Sequence, residues 1–265
     1  MPTPSSSSPA PLSSDSLHPA TATDANPLRN AAERIDAVLF DYGMVLSGPA
    51  DPAAWARLRV VSGLDEKHLH VAYWALRHDY DRGALTGTAY WQAVAAHAAV
   101  AAFDNTQLAA LKAADIDLWA QLNTPMVEWS ARLQRAGLRT GILSNIGDDI
   151  AAGIVARFPW LARFDHCTWS HAFGLAKPDP AIYIETAKAL QVAPGNVLFI
   201  DDRAENIAAA DALGMQALHY TTHPAFEREM RARGLDCLLN AGLSAATGEA
   251  PSRHPLRPDP QTAAK

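Results

Sequence analysis

Short apolar runs ending in polar residues alternate along this chain with stretches of helical periodicity. Asp36 to Asp41 reads as a buried strand that ends on a carboxylate. Arg139 to Asn145 reads as a second strand, Asp165 to Trp169 as a weaker third, Asn196 to Asp201 as a fourth and Met215 to Tyr220 as a fifth. Between the later runs, Asp148 to Phe158, Pro180 to Gln191 and Ala204 to Leu213 carry helical patterns. Gly137 and Gly214 stand where helix C-terminal glycines belong. Near-continuous apolar strands joined by helical crossovers predict an α/β fold, a Rossmann-like parallel sheet covered on both faces.

Between the first two strands lies an insert, about Pro49 to Met126, that reads as almost wholly helical. It is too long for a simple crossover, so an inserted α-helical cap domain over the strand tips is expected. The expected boundaries are 35–48 and 127–241 for the α/β core and 49–126 for the cap. Trp55, Tyr73, Trp74, Tyr90 and Trp91 in the insert read as helix-packing core, because aromatics dominate cores. Arg77, His78, Tyr80, Asp81 and Arg82 read as a solvated helix end, with a pocket-lining role as the alternative.

Composition narrows the class. The chain has 265 residues, 49% hydrophobic and 19% charged, which suits a globular protein with a sizeable core. A formal net charge of −6 argues against a nucleic-acid partner or an anionic-membrane footprint. No apolar run reaches membrane-span length. Residues 1–34 are rich in Ser, Pro, Ala and Thr and lack the pattern of a secretory signal, so a disordered tail and a cytoplasmic location are expected. A second disordered tail is expected over 242–265. Cys167 and Cys237 have no partner at metal or redox spacing and read as reduced, partly buried thiols.

Ligands of open parallel sheets bind at the carboxyl ends of the strands. Four features fall at such ends or in the adjoining loops: Asp41, Ser144-Asn145, Lys177 and Asp201-Asp202. Taken singly, each has a plain structural role. Asp41 and Ser144 suit helix N-caps, Asp202 suits the cap of a helix starting near Ala204, and Lys177 suits a solvated loop. Taken together they suit phosphoryl chemistry. A carboxylate can attack phosphorus, and a hard divalent cation on oxygen ligands relieves the repulsion between two anions. A hydroxyl can hold phosphoryl oxygens, and a lysine stabilises the charge that develops.

These segments resemble the haloacid dehalogenase-like hydrolase superfamily. Phe40-Asp41-Tyr42-Gly43-Met44-Val45-Leu46 is similar to its first motif, and Ile142-Leu143-Ser144-Asn145 to its second. Lys177-Pro178-Asp179-Pro180 is similar to the third, and Phe199-Ile200-Asp201-Asp202 onward to Asn206 to the fourth. The resemblance implies a magnesium-dependent phosphatase with an α-helical cap, acting on a small phosphorylated metabolite. It makes Asp41 the nucleophile and a Mg2+ ligand and has Ser144 and Asn145 bind the phosphoryl group. Lys177 would stabilise charge and Asp201 would bind the metal. Asp202 would be a further ligand through water or would orient Lys177. A metal-independent 2-haloacid dehalogenase and a non-catalytic metal- or phosphate-binding protein are the alternatives.

Gly43 departs from the commoner pattern. Most phosphatases of the superfamily carry Asp there, whose main-chain carbonyl binds the metal and whose side chain serves as general acid and base. Gly43 keeps the carbonyl and lacks the acid. The chain resembles the subgroup with Gly at this position, which implies a sugar phosphate as substrate. Oligomeric state is not legible.

Overall fold

A computed structural model of the chain describes residues 34–243. The tails expected at 1–34 and 242–265 lie outside the described residues, apart from Arg34, Gly242 and Leu243. Among those described, β1 (Ala37–Phe40), β2 (Arg139–Ser144), β3 (His166–Trp169), β4 (Val197–Asp201) and β5 (Gln216–His219) form one parallel sheet. Its order is β3-β2-β1-β4-β5. Each predicted strand is present, one or two residues shorter at its ends than its apolar run suggests.

The chain leaves β1 toward β2 and β3, then returns to the other side of β1 for β4 and β5. The crevice where the order reverses therefore opens above β1. The register aligns what lies there, because Phe40 pairs with both Ile142 and Ile200. Asp41 and Asp201 thus leave adjacent strands at the same level, and Ser144 ends β2 beside them.

Side chains of period two sort onto the two faces. Val38, Phe40, Leu198 and Ile200 belong to one apolar cluster, and Ala37, Leu39, Val197 and Phe199 to the other. The second face is covered by α8 (Pro180–Ala189) and α9 (Ala204–Ala212). Asp179 caps α8, accepting from Ala181 N at 2.9 Å, and Pro180 occupies its first turn. The first face packs Phe40 edge-on to Trp129 of α6 (Thr124–Arg135), with ring centroids 5.5 Å apart.

The insertion between β1 and β2 is helical, as expected. It carries α1 (Pro52–Ser62), α2 (Glu66–Ala75), α3 (Arg77–Asp81), α4 (Gly87–His97) and α5 (Asn105–Leu118). The two strands of chain entering and leaving it are tied by a bridge between Ser47 and Leu122 and by Gly48 N donating to Gln121 O at 2.7 Å. The insertion lies hard against α7 (Asp148–Arg157). Lys112 and Asp149 pair across this contact at 2.9 Å, and Arg157 and Asp117 at 2.7 Å. Two glycines permit the approach. A Cβ on Gly147 would sit 2.1 Å from the Tyr80 ring, and one on Gly153 would sit 2.5 Å from Ile116.

No described helix is long and apolar enough to cross a membrane. Cys167 is half-buried, and burial pushes its thiol up to about 12; Cys237 is exposed, contrary to the expectation of two partly buried thiols.

Candidate active site

The turn after β1 places the first carboxylate. Asp41 N donates to Ile200 O at 2.9 Å, extending the ladder one residue past the strand. Its Oδ1 accepts from Tyr42 N at 2.6 Å, which fixes the carboxylate on the turn while it lines the pocket; the helix cap expected from the sequence is not formed, since Gly43 and Met44 have non-helical backbone angles. Gly43 has φ −60° and ψ 133°, an ordinary extended conformation, and a Cβ added there would meet nothing within 4 Å. Neither backbone nor packing demands glycine at that position.

Lys177 is buried, not solvated. It is 2% exposed, and its ammonium lies 3.0 Å from Asp41 Oδ1 while donating to Asp201 Oδ2 at 2.6 Å. Asn145 sets the height of this lysine: its Oδ1 accepts from Lys177 N and its Nδ2 donates to Lys177 O, both at 2.8 Å. The Asn145 amide is thus engaged at both ends by main chain, where the resemblance implied a phosphoryl contact. The Lys177-Pro178 peptide is cis.

Asp201 is held from three sides. Besides Lys177, it accepts from Arg203 N at 2.8 Å and from Asn206 Nδ2 at 3.0 and 3.1 Å. Asn206 is buried, and its main-chain carbonyl accepts from Tyr183 Oη at 3.1 Å. Lys177 is therefore oriented by Asp201, and not by Asp202 as one reading of the sequence had it. Nor does Asp202 cap α9, whose N-cap position is Arg203 and carries no side-chain bond.

Asp41, Asp201 and Asp202 each bring a carboxylate oxygen to within 4.8 Å of the others. Three carboxylates face one ammonium, so the charge does not balance. Burial pushes Asp41 up to about 7; Lys177 opposes the shift and the Asp201 and Asp202 charges reinforce it. Asp202 is raised by burial and by Asp201. Burial alone would lower Lys177, but Asp201 and Asp41 outweigh it and hold its ammonium above the ordinary range. An all-oxygen donor set with surplus negative charge fits a hard cation such as Mg2+.

The cluster floors a cavity of about 530 Å3 between the sheet and the insertion. Ser144 is buried and lines it, as do Asn145, Lys177 and Asp202. Ser144 caps no helix, since Gly147 holds the N-cap position of α7. The insertion contributes Trp74, Arg77, His78, Asp81 and Trp119. This corrects in part the reading of 77–82 as a solvated end: Arg77 and Tyr80 are buried and Asp81 half-buried, while His78 and Arg82 stay exposed, Arg82 paired with Asp79. Trp74 is only partly the packing residue expected: its ring meets Tyr73 edge-on with centroids 5.0 Å apart, yet 46% of it is exposed.

Residues 35–214, about two thirds of the chain, match the profile of the haloacid dehalogenase-like hydrolases. The chain belongs to this family. Among curated relatives of this chain, bifunctional epoxide hydrolase 2 of Sus scrofa is 32% identical over 37% of the chain and 18% of its own length. A drimenol cyclase of Aspergillus calidoustus is 24% identical over 74% of the chain and 36% of its own length. A sesquiterpene phosphatase of Aspergillus oryzae is 37% identical over 26% of the chain and 35% of its own length. The match thus spans less than half of these relatives. A HAD-family enzyme of Bacteroides thetaiotaomicron, solved with magnesium and inorganic phosphate, superimposes with a TM-score of 0.56 at 19% identity, covering 71% of the chain and 96% of that structure. L-2-haloacid dehalogenase of Xanthobacter autotrophicus gives a TM-score of 0.55 at 22% identity, covering 78% and 87%. At these identities the likeness is one of fold.

Arg203, Asn206, Met44 and Trp119 were not singled out from the sequence, though all line the cavity. The available signal was motif membership: Met44 falls within the first motif and Arg203 and Asn206 within the fourth, whereas Trp119 lies in none.

Proposed function

We propose that this hydrolase is a magnesium-dependent phosphomonoesterase that works through an aspartyl-phosphate on Asp41. The observation that carries this reading is the buried Lys177 between Asp41 and Asp201, with Asp202 beside them at the floor of an open cavity. Asp41, Asp201, Asp202 and the main-chain carbonyl of Gly43 would hold Mg2+, which when bound offsets the negative charge shared by nucleophile and phosphoryl group. Lys177 neutralises part of that charge from the protein side. Its bonds to Asp41 and Asp201 orient the attacking oxygen, which lowers the entropy lost in reaching the reactive geometry. Asp41 attacks phosphorus, and the ester oxygen departs toward the insertion. Water then attacks the acyl-phosphate and regenerates Asp41. Asn145 acts through Lys177 as a positioning residue, and Ser144 offers a hydroxyl to a phosphoryl oxygen. Gly43 supplies no proton, so the leaving group departs with help from solvent.

The likeness to L-2-haloacid dehalogenase supports a second reading, in which Asp41 attacks carbon and no metal takes part. Release of inorganic phosphate from aryl and alkyl phosphates, with Mg2+ and with EDTA, separates the two. The phosphatase reading requires phosphate release that EDTA abolishes and that Asp41→Asn reduces to background. Halide release from a 2-haloacid in EDTA, with no phosphate release, would replace it with the dehalogenase reading. Absence of both activities would leave a binding protein.

A further inference from the structure

The cavity has two unlike ends. Its floor is carboxylate and ammonium, and above it Met44, Trp74, Trp119, Ile146 and Ile150 form an apolar wall, with Arg77, His78, Asp81 and Arg203 as the charged or titratable groups beside it. Trp74 is 46% exposed and Met44 40% exposed, so both leave apolar surface uncovered inside a concave site. Met44 also holds φ +58°, a conformation L side chains rarely adopt, on the same turn that carries Asp41. The Trp74 and Trp119 rings meet edge to face, with centroids 6.4 Å apart at 80°. They form two perpendicular walls. Trp119 spends its indole N–H on Tyr73 Oη at 3.2 Å and offers the cavity ring surface only.

A sugar would also stack on tryptophan, but its hydroxyls need polar partners. The charged groups on this wall are already engaged. Arg77 Nε donates to Asp81 Oδ1 at 2.8 Å, and its guanidinium lies 3.6 Å from Asp115. The same guanidinium sits 5.2 to 5.7 Å from the ring centres of Tyr73, Tyr80 and Trp119. Among the described charged or ring-nitrogen groups lining the cavity, His78 and Arg203 are exposed, and Arg203 is paired with Glu205. Sugar hydroxyls carried against the two tryptophans would lose more water contacts than His78 could replace, which costs affinity.

We infer that the organic part of the substrate is a hydrocarbon with π surface, as in an aryl or prenyl monophosphate, and not a sugar. The inference rests on the phosphatase reading and concerns the wall opposite its floor. The test is kcat/KM for phenyl phosphate, 1-naphthyl phosphate, geranyl monophosphate, glucose 1-phosphate and glucose 6-phosphate, all with Mg2+. The hydrocarbon esters exceed the sugar esters by about 100-fold, the factor expected from covering roughly 110 Å2 of apolar ligand surface. The aryl and prenyl members differ in shape, and their ratio tells which source fits the two tryptophans. Trp74→Ala reduces the hydrocarbon-to-sugar ratio about tenfold, as expected for about 55 Å2 left uncovered. Met44→Asn, which suits a left-handed turn, reduces it in the same direction.

Calorimetric binding to Asp41→Asn gives a readout without turnover. 1-Naphthyl phosphate binds more tightly than glucose 6-phosphate or inorganic phosphate, and Trp74→Ala in that background removes the difference. Sugar esters turned over as well as the hydrocarbon esters, or a Trp74→Ala loss equal on every ester, would overturn the inference. If no ester releases phosphate, the phosphatase reading fails, while the binding arm still decides what the wall accepts.

Discussion

Lys177→Met exchanges the buried ammonium for an apolar side chain of similar length and leaves Asp41 and Asp201 facing each other without it. The ammonium lies 3.0 and 2.6 Å from the two carboxylates and its side chain is 1% exposed. At an effective dielectric constant of 20, one such pair is worth roughly 5 kcal/mol. Removing one partner of a buried pair costs about 3–5 kcal/mol once relaxation is included. The pH dependence identifies the cause. Asp41 rises from an ordinary 3.8 to about 7 on folding, which at 1.36 kcal/mol per unit amounts to about 4 kcal/mol. The folded state holds this proton more tightly, so stability falls as pH rises from about 4 to about 7, and then levels off because both states are ionised. Without Lys177 the folded-state value of Asp41 moves higher still. The variant's stability therefore continues to fall above pH 7 where the wild type is flat, and the gap between them widens. Urea denaturation in EDTA from pH 5 to 9 measures it, chelation removing any cation that would screen the cluster. A pH-independent difference below about 1 kcal/mol would refute the reasoning, since it would mean that Lys177 stabilises neither carboxylate.

Gly43→Asp brings no steric clash or backbone strain, because the backbone there is unstrained and the Cβ position is open. It raises turnover of alkyl phosphates about 100-fold relative to aryl phosphates by supplying the missing acid; an unchanged alkyl-to-aryl ratio counts against that role. Asp115 lies buried with Asp81 around one guanidinium, and burial raises it to about 6 against the pull of Arg77. Wild-type stability accordingly declines by about 3 kcal/mol from this group as pH rises from about 4 to about 6, and Asp115→Asn flattens that part of the profile in urea denaturation. Gly147→Ala drives a methyl into the Tyr80 ring, costs about 1–3 kcal/mol and lowers Tm; an unchanged Tm shows that the insertion can stand further from α7.

Much of the site was legible because strand ends are. Continuous apolar runs stop where the sheet meets solvent, so Asp41, Ser144 and Asp201 announced their level along the strands before any neighbour was known. Crossover handedness and the order reversal then oblige those ends to share one crevice. Lys177 was legible as a motif and not as a buried ion, because burial depends on Asn145 holding its main chain from another strand's end. The insertion was legible only as helices. Its apolar positions satisfy the same periodicity whether they face a neighbouring helix or a cavity, so Trp74 was read as core. Arg77 was read as solvated because Asp115, which joins Asp81 around its buried guanidinium, lies thirty-eight residues away. Sequence alone determined the fold class, the order of the chemical groups and the absence of an acid at Gly43, all properties of local pattern. Tertiary structure decided which carboxylate orients Lys177, that glycine is not required at Gly43, and that the insertion places Trp74 and Trp119 in the cavity lining. Those depend on distances between segments far apart in the chain, which no local pattern encodes.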